Sequence, residues 1–83
     1  MECVVMEREF DIELTTEMVL AMAKMGAGCE TLYGVEPIRS YLSPDGRRMI
    51  CVFRAPDAEA VRIMARNAGS PPAKVWKGSE HTG

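Results

Sequence analysis

The sequence has little of what several classes of function require. Its 83 residues contain one histidine, one tryptophan, two tyrosines, two phenylalanines and three cysteines. No uncharged apolar stretch of about 18 residues is present, which excludes a transmembrane helix. The first residues are acidic rather than basic, and their apolar run is too short for a secretory signal. We therefore expect a cytoplasmic protein that has no membrane partner.

Cysteine spacing and charge exclude two further classes. Cys3, Cys29 and Cys51 are an odd number without CxxC spacing, so neither a disulfide framework nor a closed zinc site is predicted. Ten basic residues are scattered among twelve acidic ones, for a net charge of −2. Without a block of positive charge, the chain lacks the field that holds phosphate backbones, and we expect no nucleic-acid partner.

What the chain does have is a high apolar content for its length. Hydrophobic residues make up 47% of the sequence, which excludes a disordered chain, and the length excludes a two-domain enzyme. A domain this small buries only about 60% of its unfolded surface, so it folds with little stability to spare. We predict one domain over residues 1–78, followed by a disordered polar tail over residues 79–83.

The apolar spacing alternates between strand and helix periods. It predicts strands over residues 2–8, 35–42, 48–54 and 73–77. It predicts helices over residues 16–27, capped by Thr15 or Thr16 and ended by Gly26 and Gly28, and over residues 58–68, capped by Asp57 and ended by Gly69. The β-α-β-β-α-β order is the ferredoxin-like signature of an α+β fold, with sheet order 4-1-3-2 and both helices on one face.

Strand periodicity assigns each side chain to one face of the sheet. The face against the helices is predicted to hold Val4, Met6, Ile38, Ile50 and Val52. The opposite face is predicted to hold Cys3, Val5, Glu7, Arg39, Tyr41, Met49, Cys51 and Phe53. An open sheet face should be mostly polar, so we expect this one to be covered by a second copy or by a long loop, or to line a ligand pocket.

The candidate ligand-binding residues are those that the periodicity places together on the open face: Glu7, Arg39, Tyr41, Cys51 and Phe53. Glu7 either pairs with Arg39 or sits where its charged form is disfavoured. Tyr41 and Cys51 are also explained by ordinary packing. The candidate metal donors are Cys3, Cys51 and Glu7, and the two thiols can share an ion only if the strand register places them opposite each other.

Three segments carry a family resemblance: R-S-Y-L-S from Arg39, C-V-F-R-A-P-D-A-E-A-V-R from Cys51 and A-R-N-A-G-S-P from Ala65. They resemble a family of small bacterial ferredoxin-like proteins known as a domain of unknown function, one branch of which is described as nickel-binding. The resemblance implies a homodimer or higher oligomer and a metal site, with nickel as the candidate ion.

One position departs from the family pattern. Relatives often carry histidine directly before the Ser-Tyr pair, where this chain has Arg39. Arginine keeps its proton and presents only donors, so it cannot replace histidine as a metal ligand. The resemblance therefore assigns no metal ligand at this position.

Two functions are compatible with these observations. The first is a non-enzymatic, homo-oligomeric protein that binds a metal ion or small molecule on the helix-free sheet face. The alternative is a small dimeric-barrel enzyme of the cofactor-free monooxygenase or isomerase type. The shortage of acid and base groups favours the first. RNA binding is not expected, because Arg48 to Phe53 offers one aromatic residue and lacks the Gly-aromatic start of RNA-recognition strands.

Overall fold

The computed structural model describes residues 1–67 and 74–82, and of residues 25–31 the backbone only. The elements follow the order β1 (Glu2–Glu9), α1 (Thr16–Leu32), β2 (Glu36–Leu42), β3 (Arg48–Ala55), α2 (Ala58–Asn67) and β4 (Lys74–Gly78). This is the predicted order of two helices and four strands. Among the described helices, none combines the length and apolar content that a membrane crossing needs.

The four strands form one antiparallel sheet in the order β2-β3-β1-β4. This is the predicted order 4-1-3-2 counted from the other edge, so the prediction is confirmed. β1 and β3 occupy the centre, where Val4 faces Phe53 and Met6 faces Cys51 in the strand register. The N-terminal strand is therefore paired on both sides, by β3 and by the last strand.

The core lies between one face of the sheet and the helices. As predicted, Val4 and Met6 are fully buried, and α2 contributes the buried side chains of Val61, Met64 and Ala65. α1 adds the half-buried Val19 and Met22 at the margin of the same cluster. The predicted helix residues Ala68 and Gly69 lie outside the described part of the chain, as does the side chain of Met25.

The predicted faces of β3 are wrong. Met49, Cys51 and Phe53 are at most 6% exposed and belong to the core under the helices, whereas Ile50 lies 36% exposed on the opposite face. Val52 shares the face of Ile50. The run from Met49 to Phe53 is apolar at every position, so its alternation alone does not say which side chains turn inward.

β2 has an irregular register but presents its predicted residues on the open side. The register shifts between Pro37 and Arg39, after which Arg39 lies opposite Val52 and Tyr41 lies opposite Ile50. Proline and a shifted register are typical of an edge strand. The shift places Arg39 and Tyr41 on the helix-free side, as predicted.

The helix starts follow the predicted capping chemistry, but the end of α1 does not. The Met18 amide donates to the Thr15 hydroxyl oxygen over 3.2 Å, and the Ala60 amide donates to the Asp57 carboxylate over 2.8 Å. α1 continues to Leu32 rather than ending near residue 27, because a glycine inside a helix costs only about 1 kcal/mol. Gly34, with φ of 68°, follows the true end.

The β2–β3 turn also anchors the loop between β1 and α1. Gly46 adopts φ of 71°, and its carbonyl accepts from the Leu14 amide over 2.7 Å. The Arg47 carbonyl accepts from the Phe10 amide over 2.8 Å. Since these bonds join segments far apart in sequence, the turn fixes both the hairpin and the entry to α1.

Asp45 makes this turn sensitive to acid. The Ser43 hydroxyl and the Arg47 amide both donate to its carboxylate, which lowers the pKa of Asp45 below its ordinary value. The stabilisation is therefore complete above the ordinary pKa and is lost as the pH falls through the lower, folded-state pKa. We expect Asp45→Asn to reduce stability at pH 7, with the difference from wild type shrinking as the pH falls below the ordinary pKa of aspartate. Urea unfolding at several pH values measures this, and a pH-independent difference would contradict it.

Candidate functional site

The helix-free face of the sheet carries several large apolar side chains in contact with solvent. Tyr41 is 57% exposed, Trp76 46% and Ile50 36%, although all three belong to strands. The strand register places on this face, called the open face below, Cys3, Val5, Glu7, Glu9, Glu36, Arg39, Tyr41, Arg48, Ile50, Val52, Arg54, Lys74 and Trp76. Contiguous exposed apolar side chains of this kind mark interaction sites.

The strand register arranges these side chains in two rows across the sheet. The first row runs Tyr41, Ile50, Glu7, Lys74, and the second runs Arg39, Val52, Val5, Trp76. Neighbours in a row lie about 5 Å apart at their Cβ atoms, close enough to act together on one ligand or partner. Each row contains apolar side chains and has a positively charged side chain at one end, Lys74 in the first row and Arg39 in the second.

Trp76 is the main residue of the open face that the sequence analysis did not select. Its indole Nε1 donates to the Glu7 carboxylate over 2.8 Å. The other side of the ring covers Gly78, where an added Cβ would lie only 2.9 Å from the ring. The indole therefore lies along β4 and holds the carboxylate of Glu7 in place. The alternation of polar Lys74, apolar Val75 and Trp76 along β4 is the sequence signal that could place Trp76 on the open face, beside Val5.

Glu7 and Arg39 do not pair across the sheet. Glu7 accepts from the Trp76 indole, whereas Arg39 lies near Tyr41 on its own strand. The contact with Tyr41, followed by the charge of Glu80, raises the pKa of Arg39. Because Glu80 acts on Arg39, the segment after β4 comes within electrostatic range of the β2 side of the open face.

Two of the predicted ligand-binding residues lie elsewhere. Cys51 and Phe53 are buried under the helices, and the Ser40 hydroxyl lies 3.3 Å from the Cys51 sulfur and donates to it. The proposed convergence with Glu7, Arg39 and Tyr41 is therefore wrong for these two residues. They stabilise the core beneath the open face rather than line it.

The predicted metal donors do not form one site. Cys3 lies opposite Arg54 and Cys51 lies opposite Met6, so the two thiols are on different faces of the sheet. Cys3 and Glu7 share a face but are four residues apart on one strand, or about 13 Å, too far to bind one ion. Wherever the structure describes side chains, no three His, Cys, Asp or Glu residues form a group that could hold a metal ion.

A cleft of about 300 Å³ opens at the end of the sheet where β1 and β2 finish and β3 and β4 begin. This sheet-end cleft is lined by Glu7, Arg8, Glu9, Tyr41, Leu42, Ser43, Arg48, Met49, Ile50 and Lys74. Its lining includes side chains of the open face and side chains at the edge of the core. Of these residues, only Glu7 and Tyr41 are candidates from the sequence, because the cleft joins four strand ends that are distant in sequence.

Arg8 forms the inner side of this cleft. It shares the helix-facing side with Met6, and its guanidinium lies 3.7 Å from the Met6 sulfur. Burial lowers the pKa of Arg8, while the nearby Cys51 acts in the opposite direction. Arginine nevertheless stays charged at physiological pH.

Comparison with known proteins agrees with the family resemblance in the sequence. The crystal structure of SCO4226 from Streptomyces coelicolor A3(2) superposes with a TM-score of 0.87, covering 96% of this chain and 99% of that one. The two sequences are 15% identical, so this match shows a shared fold. No curated protein matches the chain. Residues 5–77 match the family described as nickel responsive protein SCO4226-like. The chain therefore belongs to the SCO4226-like family.

Proposed function

We propose that the protein is a non-enzymatic, ferredoxin-like homo-oligomer of the cytoplasm that binds a small ligand or metal ion through its open face. The observation that carries this proposal is the exposure of Tyr41, Ile50 and Trp76 on the helix-free side of the sheet. Large apolar side chains such as these cost free energy when they remain in water. A second copy of the chain, packed sheet against sheet, removes it.

The polar groups among these side chains support a binding role. The carboxylate of Glu7 is held by the Trp76 indole and lies between Ile50 and Lys74 in the first row, and Arg39 lies near Tyr41 on its own strand. An apolar wall with a few fixed polar groups is the usual composition of a ligand site. Groups held in advance lose little conformational freedom when a ligand binds.

Nickel is the ion that the family description suggests. Among the described residues of a single copy, no three side chains of the kinds that bind metals come together on the open face. A nickel site on this face would thus need donors from a second copy. Oligomerisation and metal binding are therefore linked in this proposal.

Self-association is tested by Ile50→Lys, which places a charge in the centre of the exposed apolar row. We expect wild type to sediment as a dimer or larger oligomer and the variant to dissociate about a hundredfold more readily, because each copy then has to bring one more charged side chain out of water into the interface. Glu7, opposite residue 50, gives the new lysine a partner in the folded monomer. Leu20→Lys, on the exposed side of α1, is the matched control and should leave assembly unchanged. A monomeric wild type would contradict the proposed oligomer.

Metal binding is tested by calorimetric titration of the same proteins with nickel, copper, zinc and cobalt. We expect heat with nickel for wild type and Leu20→Lys, and a reduced heat for Ile50→Lys and Glu7→Gln. The absence of heat with all four ions in wild type would remove the metal part of the proposal. Binding that persists in monomeric Ile50→Lys would place the ion outside the interface.

A further inference from the structure

We propose that Arg62 closes the outer edge of β4, and that a second copy of the chain adds its own β4 there, strand against strand, once this arginine is released. The surface concerned is the lateral edge of the sheet rather than its open face. Neither surface needs the other, so the edge can act whether or not the open face binds a ligand.

β4 is an edge strand with one neighbour. Within residues 1–67 and 74–82, it pairs with β1 alone, antiparallel over Lys74–Gly78. Alternate residues of such a strand turn their backbone amide and carbonyl toward the neighbour and toward the free edge. The Val75 carbonyl accepts from a side chain of α2, which assigns Val75, and Lys77 two residues later, to the outward set. These two residues therefore carry the backbone groups that an added strand would use.

The two edges of the sheet are protected in different ways. β2 contains Pro37 and a shifted register, and both features disfavour pairing with a further strand. β4 has no proline in its sequence Lys-Val-Trp-Lys-Gly, and its register with β1 is continuous. Lysines on an edge also deter pairing, but the charge of Lys77 is compensated by Glu2 at 2.6 Å. The edge of β4 therefore depends more on a contact from outside the strand.

Arg62 supplies that contact with a guanidinium held at two points. Its Nη2 donates to the Val75 carbonyl over 3.0 Å, and its Nη1 donates to the Glu59 carboxylate over 3.3 Å. Glu59 lies one turn earlier on α2, so the ion pair directs the guanidinium from the helix to the edge. An incoming strand must displace this group before its amide can reach the Val75 carbonyl.

The occupant that fits this edge is a second copy of β4. Two such strands can pair antiparallel about a two-fold axis at Trp76. Val75 then lies opposite the second copy's Lys77, so the outward groups of each strand face those of the other. Lys74 lies opposite the second copy's Gly78, and no lysine of the two strands lies directly opposite another lysine. The two Trp76 side chains become cross-strand neighbours, and aromatic pairs of this kind stabilise antiparallel strands.

The test is Arg62→Met in the full chain, which keeps a long side chain and removes the hydrogen-bond donors. We expect the variant to associate through β4 about tenfold more tightly than wild type, the factor for one hydrogen bond from a charged group. Amide hydrogen exchange at low and high protein concentration measures this. In the variant, the Val75 and Lys77 amides should become protected as the concentration rises. Sheet-on-sheet packing pairs no backbone groups at an edge and does not give this signal.

The matched control is Arg66→Met, which removes the same charge from the exposed last turn of α2 and should leave the edge amides as in wild type. Adding Lys77→Pro to Arg62→Met removes an outward amide and should restore wild-type behaviour. If Arg62 only fastens β4 to α2, its loss instead speeds exchange of the inward Trp76 amide and protects neither edge amide. That result, equal association in Arg66→Met, or association that survives Lys77→Pro would overturn the proposal.

Discussion

Phe53→Ala is expected to lower the free energy of unfolding by about 4 kcal/mol, because it removes a phenyl ring from the core and leaves a cavity. Phe53 is 4% exposed and lies opposite the fully buried Val4. For a domain of this length, total stability is about 4–12 kcal/mol, so the variant should be partly or wholly unfolded at 37 °C. Urea denaturation followed by circular dichroism measures the change.

Ile50→Ala is the matched control for Phe53→Ala, since both positions are on β3 but on different faces. Ile50 is partly exposed, and we expect a loss of about 1 kcal/mol when both variants are compared at low protein concentration. A larger loss for Ile50→Ala than for Phe53→Ala would mean that β3 turns its other side to the helices.

Gly46→Ala is expected to destabilise the protein by about 3 kcal/mol, for two independent reasons. The residue has φ of 71°, which costs any residue with a Cβ about 1–2 kcal/mol. The added Cβ would also lie 2.7 Å from the Glu13 Cγ and 2.8 Å from the Leu14 carbonyl oxygen. Relief of this contact would strain the hydrogen bond from the Leu14 amide to the Gly46 carbonyl. Thermal unfolding should show a melting temperature lower by about 15 °C.

Gly34→Ala separates these two causes. Gly34 has nearly the same φ, at 68°, but a Cβ there would meet only the Pro56 Cγ at 3.7 Å, an ordinary contact. We expect a loss of about 1 kcal/mol, from conformation alone. Equal losses at the two glycines would show that the crowding at Gly46 is relieved without cost.

Much of the fold could be predicted from local signals. The caps at Thr15 and Asp57, the turn at Gly46 and the strand order all follow from residue types and connection rules. The faces of β3 were assigned wrongly, although the sequence contained the deciding signal. Turning Ile50 inward would also turn Arg48 and Arg54 toward the core, where charged side chains are costly to bury.

The candidate site was less accessible to sequence reasoning. Its central contact joins Glu7 to Trp76, and its cleft joins the ends of four strands. Neither depends on a local motif, because strand register decides which distant residues become neighbours. If the charged residues of each strand are first assigned to the solvent face, Ile50 and Val52 fall on the correct side of the sheet.

The central place of β1 in the sheet also affects how the protein is made. On the ribosome β1 emerges before its two neighbours, and β4 is the last strand of the domain to emerge. Until Lys74–Gly78 has been synthesised, one edge of β1 has unpaired amide and carbonyl groups and Glu7 lacks its indole partner. Unpaired strand edges recruit other chains. A nascent chain that ends after α2 therefore exposes an edge of β1 that the complete domain covers with β4.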